Sequence, residues 1–335
     1  MKYPLLIIDL KKIKENTKNV IKMCKERDIE VAAVTKVFAG NLKVVKSIVE
    51  CGVDILADSR IQNLTKFKDI KIKKMLIRIP MMSEIEKVVK YSNISLVSEI
   101  ETIIEINKYA KKSGKIYKII LMIDVGDLRE GIYFENQEKI YSVVQKIIKL
   151  KNIELNGIGA NFSCFGGVIP TEKKLKMLVD IKENLEKKFK IKIKTISGGS
   201  SGTLSLFNKI NIPEEINQLR CGASIALGIG LNDKPFKNLY QNTCTLLVEI
   251  VEIKNKAKKY AICAIGEQEV KHEYLIPIDK NIKIVDENQD YLILDITDSR
   301  KFYKIGDAID FYVTYGGLLS LMTSIFVEKT YISHC

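Results

Sequence analysis

"EVAAVTKVFAGNLKVVKSIVECGVDILADS", residues 30–59, decides the fold. An apolar run leads into an amphipathic segment with apolar residues at helical spacing, and a second apolar run follows. This order is that of a strand, a helix and a neighbouring parallel strand. The same unit recurs along the chain. Apolar runs lie at 30–36, 53–58, 74–79, 94–99, 117–124, 154–161, 191–197 and 216–222. Most are separated by Lys/Glu-rich helical stretches such as "EIETIIEINKYAKKSGK", where Gly114 is a reasonable stop. Eight strands alternating with helices predict an α/β fold, a (β/α)8 TIM barrel. A doubly wound sheet is the alternative, but the first strand carries no GxGxxG turn and no crossover point is evident.

Near residue 230 the texture changes. "NTCTLLVEIVEI", "KYAICAIG", "NIKIVDE", "DYLILDIT", "AIDFYVTY" and "LMTSIFVEKTYI" read as strands with short turns and no clear helices. The expected organisation is a barrel over 10–230 and a C-terminal β domain, sandwich or barrel, over 231–335. The N-terminal strand 3–9 is expected to join the second unit.

Composition bounds the function. The chain has 335 residues, 46% hydrophobic and 28% charged, as a large globular protein does. No apolar run approaches the roughly 18 residues of a membrane span, and the N-terminal "MKYPLLIIDLKK" is too short for a signal peptide. The expectation is a cytoplasmic protein with no membrane partner. Seven cysteines with no CxxC pair argue against a disulfide framework. The net charge of +13 comes from lysines spread over helix-like segments, so no nucleic-acid partner is expected. Arginine is rare, and Arg60, Arg129 and Arg220 all fall near strand ends.

Functional groups of a barrel gather where strands end. The first strand ends at Lys36, a charge closing an apolar run. The second ends in "ADSRIQN", with Asp58, Ser59, Arg60 and Asn63. The fifth ends in "DVGDLREG", with Asp124 and Arg129. The sixth ends in "GANFSCFGG", with Asn161, Ser163 and Cys164. The last two end in "SGGSSG" and "RCGAS", the place of the usual phosphate site of this fold. Backbone N–H groups, the hydroxyls of Ser197, Ser200 and Ser201, and the amides of Gly222 and Ala223 suit an anion there. An apolar strand end lowers the cost of deprotonating Lys36, which can then attack a carbonyl and form an imine. A phosphorylated ligand that does so is a sugar phosphate or pyridoxal 5′-phosphate. The competing reading is a lysine paired with a carboxylate.

These motifs, in this order, resemble the fold-type III pyridoxal-phosphate enzymes, the alanine racemase superfamily. The resemblance runs over nearly the whole chain, through "VTKVFAG", "DVGDLREG", the serine loop and "LRCGASIALG". "ADSRIQN", "GANFSCFGGVIPT" and "YGGLLSLMTSIFVEKTY" resemble its ornithine racemase branch. The resemblance implies that Lys36 holds the cofactor as an internal aldimine and exchanges the α-proton on one face. Arg220 would hydrogen-bond the pyridine nitrogen and keep it unprotonated. Arg129 would lie near the phenolic oxygen and the substrate carboxylate. Ser200, Ser201, Gly222 and Ala223 would cradle the phosphate, and Asn161 would lie against the ring where the alanine enzyme has a histidine.

The departures bear on substrate. Racemisation needs acid–base groups on both faces of the α-carbon. Alanine racemase takes the second from a tyrosine of the partner subunit, so a homodimer with shared active sites is implied. "AIGEQEVKHEYLIP" places Glu267 at the tyrosine position, with Glu269, His272 and Tyr274 nearby. Met122 replaces a modified lysine, Met322 a tyrosine that contacts the phosphate, and Gly40 another site tyrosine. A roomier pocket and a diamino acid follow as expectations. Its distal ammonium would need an acid, for which Asp58, Asp127, Glu130 and Asp290 are the candidates. The expected activity is a pyridoxal-phosphate amino-acid racemase acting on ornithine or a similar basic amino acid. Alternatives are an alanine or serine racemase of the same fold, a non-catalytic cofactor-homeostasis protein, and a metal-dependent D-amino-acid lyase. Such homeostasis proteins lack the β domain. With only His272 and His334, no His-rich metal site is expected, and "HC" at 334–335 has the wrong spacing for a zinc pair.

Overall fold

The computed structural model describes residues 2–162 and 167–333. Ser163, Cys164, His334 and Cys335 lie outside the described residues. The chain opens with β1 (Leu5–Asp9) and α1 (Leu10–Lys25). The first half of the barrel follows as β2 (Glu30–Val34), α2 (Leu42–Val49), β3 (Ile55–Asp58), α3 (Ile61–Lys66), β4 (Lys73–Leu76), α4 (Ile85–Tyr91), β5 (Ile94–Val97) and α5 (Ile100–Lys112). The second half is β6 (Tyr117–Asp124), the short β7 (Ile132–Tyr133), α6 (Gln137–Ile147), β8 (Ile153–Gly159), α7 (Glu172–Phe189), β9 (Thr195–Ser200), α8 (Ser201–Leu204), β10 (Gln218–Cys221) and α9 (Ala223–Leu227). The parallel strands run in the order β5-β4-β3-β2-β10-β9-β8-β6, and β5 pairs with β6 to close the ring. This is the (β/α)8 barrel that the eight apolar runs predict.

The period of two along each strand decides what faces the bore. Ala32, Val34, Ile55, Ala57, Met75, Ile94, Leu96, Ile120 and Met122 form one buried cluster inside the barrel. Their neighbours Val31, Ala33, Leu56, Ile119 and Leu121 join the larger cluster between strands and helices. Continuing the inward parity of Ala32 and Val34 by two residues reaches Lys36. Continuing the outward parity of Leu56 reaches Asp58.

The second unit is an antiparallel sheet of β11 (Cys244–Asn255), β12 (Lys259–Cys263), β13 (Leu275–Pro277), β14 (Lys283–Glu287), β15 (Leu292–Asp295) and β16 (Ala308–Val313). It is followed by α10 (Tyr315–Thr323) and β17 (Glu328–Ile332). β1 pairs antiparallel with β11 and parallel with β17, so the N-terminal strand belongs to this sheet. The helix α10 corrects the all-strand reading of this region. Thr314 caps it by accepting from the Gly317 N–H, and Leu318, Leu321 and Met322 bury one stripe. Its N-terminal end packs on the turn Lys36–Phe38 and so brings the second unit to the mouth of the barrel. Among the described residues no helix is long and apolar enough to cross a membrane.

Candidate active site

A cavity of about 730 Å³ opens at the C-terminal ends of the barrel strands, and Lys36 lines it. Beyond β2 the chain makes a 3-10 turn, Lys36–Phe38, then passes through left-handed Ala39 and Gly40. The turn is braced from behind. The Thr35 hydroxyl donates to Asp58 Oδ2 at 2.8 Å, and the Thr35 N–H donates to the Ala57 carbonyl at 2.8 Å. Asp58 Oδ1 also accepts from the Arg60 N–H at 2.9 Å and Asn63 Nδ2 at 3.0 Å. Asn63 in turn fills the space over Gly40, where a Cβ would stand 2.8 Å from Asn63 Oδ1. The tyrosine that Gly40 replaces by resemblance has no room here. Asp58 is fully buried. Burial pushes its carboxyl above the usual range, and the donors from Arg60, Asn63 and Thr35 pull it partly back. It faces the lysine turn and does not line the cavity.

Arg220 lies on the inward face of β10 and is buried. It donates to the Ser197 hydroxyl, to the Ala160 carbonyl at 2.7 Å and to Asn161 Oδ1 at 3.1 Å. A buried guanidinium held by neutral acceptors keeps its positive charge toward the cavity. On the far side of Asn161, its Nδ2 donates to Glu130 Oε1 at 3.2 Å. Glu130 grips Arg129 in a bidentate pair, Nε–Oε2 3.0 Å and Nη2–Oε1 2.8 Å. Arg129, Glu130, Asn161 and Arg220 all line the cavity.

The loop that carries Arg129 is rigidly built. Asp124 Oδ1 accepts from the N–H groups of Gly126 at 2.8 Å and Asp127 at 2.9 Å. Buried Asp127 accepts from the Val168 N–H at 3.1 Å and does not line the cavity. Gly131 has φ +145°, and a Cβ there would meet the Asp124 N at 2.4 Å, so only glycine fits.

The third side of the cavity is made by the ends of β9 and β10. Ser200, Ser201, Gly202, Gly222 and Ala223 line it. Ser200 Oγ accepts from the Gly202 N–H at 3.4 Å. Ser201 has a bracing part. Its Oγ accepts from the N–H groups of Gly222 at 3.3 Å and Ser224 at 3.1 Å and ties the two loops together. Ser197 is buried against Arg220 and is withdrawn from the loop. Tyr315 completes this wall. Its ring lies 5.9 Å from Lys36 Nζ, and a Cβ on Gly222 would stand 3.3 Å from its hydroxyl. Burial, then the charge of Asp58, pushes the Tyr315 phenol above its usual value, so the hydroxyl stays a donor. Met322, two helical turns further along α10, is packed in the core and does not line the cavity. On α10 it is Tyr315, and not Met322, that stands at the cavity.

Arg78 and Asp233 also line the cavity. Arg78 follows β4, inside the apolar run 74–79, where its charge carries no strand-end signal. Asp233 and Asn232 have φ of +54° and +53°, the left-handed region that Asn and Asp tolerate best after glycine. The lining cations are Lys36, Arg78, Arg129 and Arg220, against the acids Glu130 and Asp233. Together with the hydroxyl and N–H wall, this donor set suits a small ligand bearing a phosphate and a carboxylate. The hydroxyl and N–H wall, the lysine at one side and the arginine at the floor fit pyridoxal 5′-phosphate.

Glu267 and Asp290 stand elsewhere. Glu267 is exposed on a turn of the β domain, its N–H donating to the Asn288 carbonyl at 3.0 Å. Gln268 Nε2 donates to Asp290 Oδ1 at 2.7 Å, so the two acids stand on adjoining turns, outside the cavity of their own chain. His272 pairs with Glu287, Nδ1–Oε1 2.7 Å. Among the described residues no group of three or more His, Cys, Asp or Glu is placed to hold a metal ion.

Residues 8–228 match the family described as alanine racemase, N-terminal domain. The chain is 40% identical to an ornithine racemase of Acetoanaerobium sticklandii, over 98% of this chain and 99% of that one. It is 39% identical to a lysine racemase of Thermotoga maritima, over 99% of each. Its fold is similar to that of an alanine racemase of Clostridium difficile 630 in complex with cycloserine, with a TM-score of 0.80 at 19% identity, covering 99% of this chain and 96% of the other.

Proposed function

This chain belongs to the alanine racemase family and is an amino-acid racemase, and on that premise we propose that it interconverts the enantiomers of ornithine or lysine with pyridoxal 5′-phosphate as cofactor. The observation that carries the reading is the juxtaposition of Lys36 and Arg220 in one cavity whose third side is a wall of hydroxyls and backbone N–H groups. Ser200, Gly222, Ala223 and Tyr315 would hold the phosphate, Arg220 would donate to the ring nitrogen, and Asn161 would lie beside the ring. When bound, the cofactor supplies an electron sink that eases removal of the amino acid's α-hydrogen.

The chain's own groups divide the remaining work. Arg129 reads the α-carboxylate as a rigid fork of donors. Lys36 Nζ moves the proton on one face of the α-carbon. The other face requires a second group, and Glu267 is our assignment. Because Glu267 is exposed and outside its own chain's cavity, it acts in a homodimer, on the site of the other subunit. Asp290, joined to the adjoining Gln268, is the carboxylate we assign to the distal ammonium.

A screen of purified protein over ornithine, lysine, alanine and serine, from both enantiomers, tests the reading. Ornithine or lysine should exceed alanine in kcat/KM by about tenfold or more, the discrimination a charged subsite provides. Preference for alanine would refute the substrate, and absence of turnover on all four would refute the function.

A further inference from the structure

Glu130 is an acid that joins cationic groups of the cavity to each other, Arg129 directly and Arg220 through Asn161. Neighbouring residues of an extended strand face opposite ways. Arg129 and Glu130 nevertheless both line the cavity, in an irregular loop bounded by left-handed Leu128 (φ +56°) and Gly131 (φ +145°). A carboxylate accepts only and a guanidinium donates only. Asn161, between Glu130 and Arg220, therefore has its amide orientation forced, with Nδ2 toward Glu130 at 3.2 Å and Oδ1 toward Arg220 at 3.1 Å. The result is a chain Arg129–Glu130–Asn161–Arg220 of fixed polarity across the cavity floor. Both Glu130 oxygens are committed, Oε2 to Arg129 and Oε1 to Arg129 and Asn161.

We propose that Glu130 is a positioning residue for the racemase reaction: its carboxylate orients Arg129 toward the substrate carboxylate and fixes Asn161 against Arg220. This rests on the functional reading above. It also gives Glu130 a different part from that of an acid that reads the distal ammonium of a diamino acid. Removing the carboxylate takes the bidentate pairing from Arg129 and the acceptor from Asn161 Nδ2, so Asn161 is held from the Arg220 side alone and the change reaches Arg220 at a distance.

The test compares wild-type protein with Glu130→Leu and Glu130→Gln, each loaded with pyridoxal 5′-phosphate. The readouts are the absorbance spectrum of the bound cofactor without amino acid, and steady-state racemisation of ornithine and of alanine. Glu130→Leu should shift the spectrum and lower kcat/KM about tenfold to hundredfold, mostly through KM and for both substrates alike. Glu130→Gln keeps one acceptor oxygen and should recover part of both. An unchanged spectrum with kcat/KM within about threefold of wild type would overturn the proposal. So would a loss confined to ornithine with an unchanged spectrum, since that pattern belongs to a reader of the distal ammonium. If Glu130→Leu does not fold by circular dichroism, the same criteria apply to Glu130→Gln. A wild-type protein without racemase activity would refute the functional reading, while the spectral shift would still decide the link from Glu130 to Arg220.

Discussion

Asp58 was a candidate to read the substrate, and its surroundings make it a strut beneath Lys36. Two substitutions separate these parts. In Asp58→Asn, one carbonyl oxygen can take over the Oδ1 position and keep the donors from Arg60 N–H and Asn63 Nδ2, at 2.9 and 3.0 Å in the parent. The new NH2 then meets the Thr35 hydroxyl, which can turn, accept, and donate instead to the Ala57 carbonyl 3.2 Å away. The Arg60 N–H, the Asn63 amide and the Thr35 hydroxyl keep partners, and the cost should be about 1 kcal/mol or less. Asp58→Ala has no such rearrangement. It strands the Asn63 amide and the Arg60 N–H and opens a small void, for about 2–4 kcal/mol. The lysine turn loses its brace, and a displacement of Lys36 of about 1 Å would cost about a hundredfold in rate. Charge adds a signature in pH. Burial holds the Asp58 carboxyl above its unfolded value, so the native state binds that proton more tightly than the unfolded state. Its contribution to stability is therefore present at low pH and lost as pH rises through the raised folded value. Asp58→Asn removes this dependence and should gain on wild type as pH rises from the acid range toward neutrality. Urea unfolding across that range, with kcat/KM for ornithine and alanine, reads all of these effects. A tenfold rise in KM for ornithine alone in Asp58→Asn would refute the reasoning and return Asp58 to the substrate.

Gly40→Ala should destabilise the protein by about 2–4 kcal/mol, because a Cβ enters Asn63 at 2.8 Å in a left-handed conformation. Thermal or urea unfolding measures this loss, which should be accompanied by weaker binding of pyridoxal 5′-phosphate through the disturbed lysine turn. Glu267→Gln should remove the second-face proton transfer while leaving Lys36 in place. Solvent deuterium should then enter the α-position of one enantiomer at close to the wild-type rate, while racemisation falls by about a hundredfold or more. Equal exchange into both enantiomers would show that another group serves that face.

The barrel was legible because its eight runs are short and nearly continuously apolar, as strands whose alternate residues face bore and helices are, while the stretches between them carry a period near 3.6. The same parity makes Lys36 legible: two residues beyond Val34, it must face the bore. It also separates Asp58 from the cavity, since Leu56 already packs between strand and helix. Other parts of the site depend on distant contacts that periodicity does not carry. Tyr315 enters through the packing of α10 on the Lys36–Phe38 turn. α10 itself was hidden, because "YGGLLSLMT" is apolar nearly all round, with two glycines and no charged face to mark a helical period. Ser201 reads as a phosphate hydroxyl in sequence, yet its oxygen is occupied by two N–H groups of the next loop. The pairing of Glu130 with its own neighbour depends on positive φ at Leu128 and Gly131, and only glycine signals such a bend in advance.

The central claim is that Lys36 serves the α-carbon of a basic amino acid in this cavity, one face at a time with a second group opposite. Incubation of the cofactor-loaded protein with L-ornithine, and separately with D-ornithine, in deuterium oxide tests it most directly. The account predicts deuterium at the α-carbon and approach to the racemic mixture from either side, with both lost in Lys36→Ala. Retention of the α-hydrogen in both enantiomers of ornithine and of lysine, or full exchange in Lys36→Ala, would contradict it.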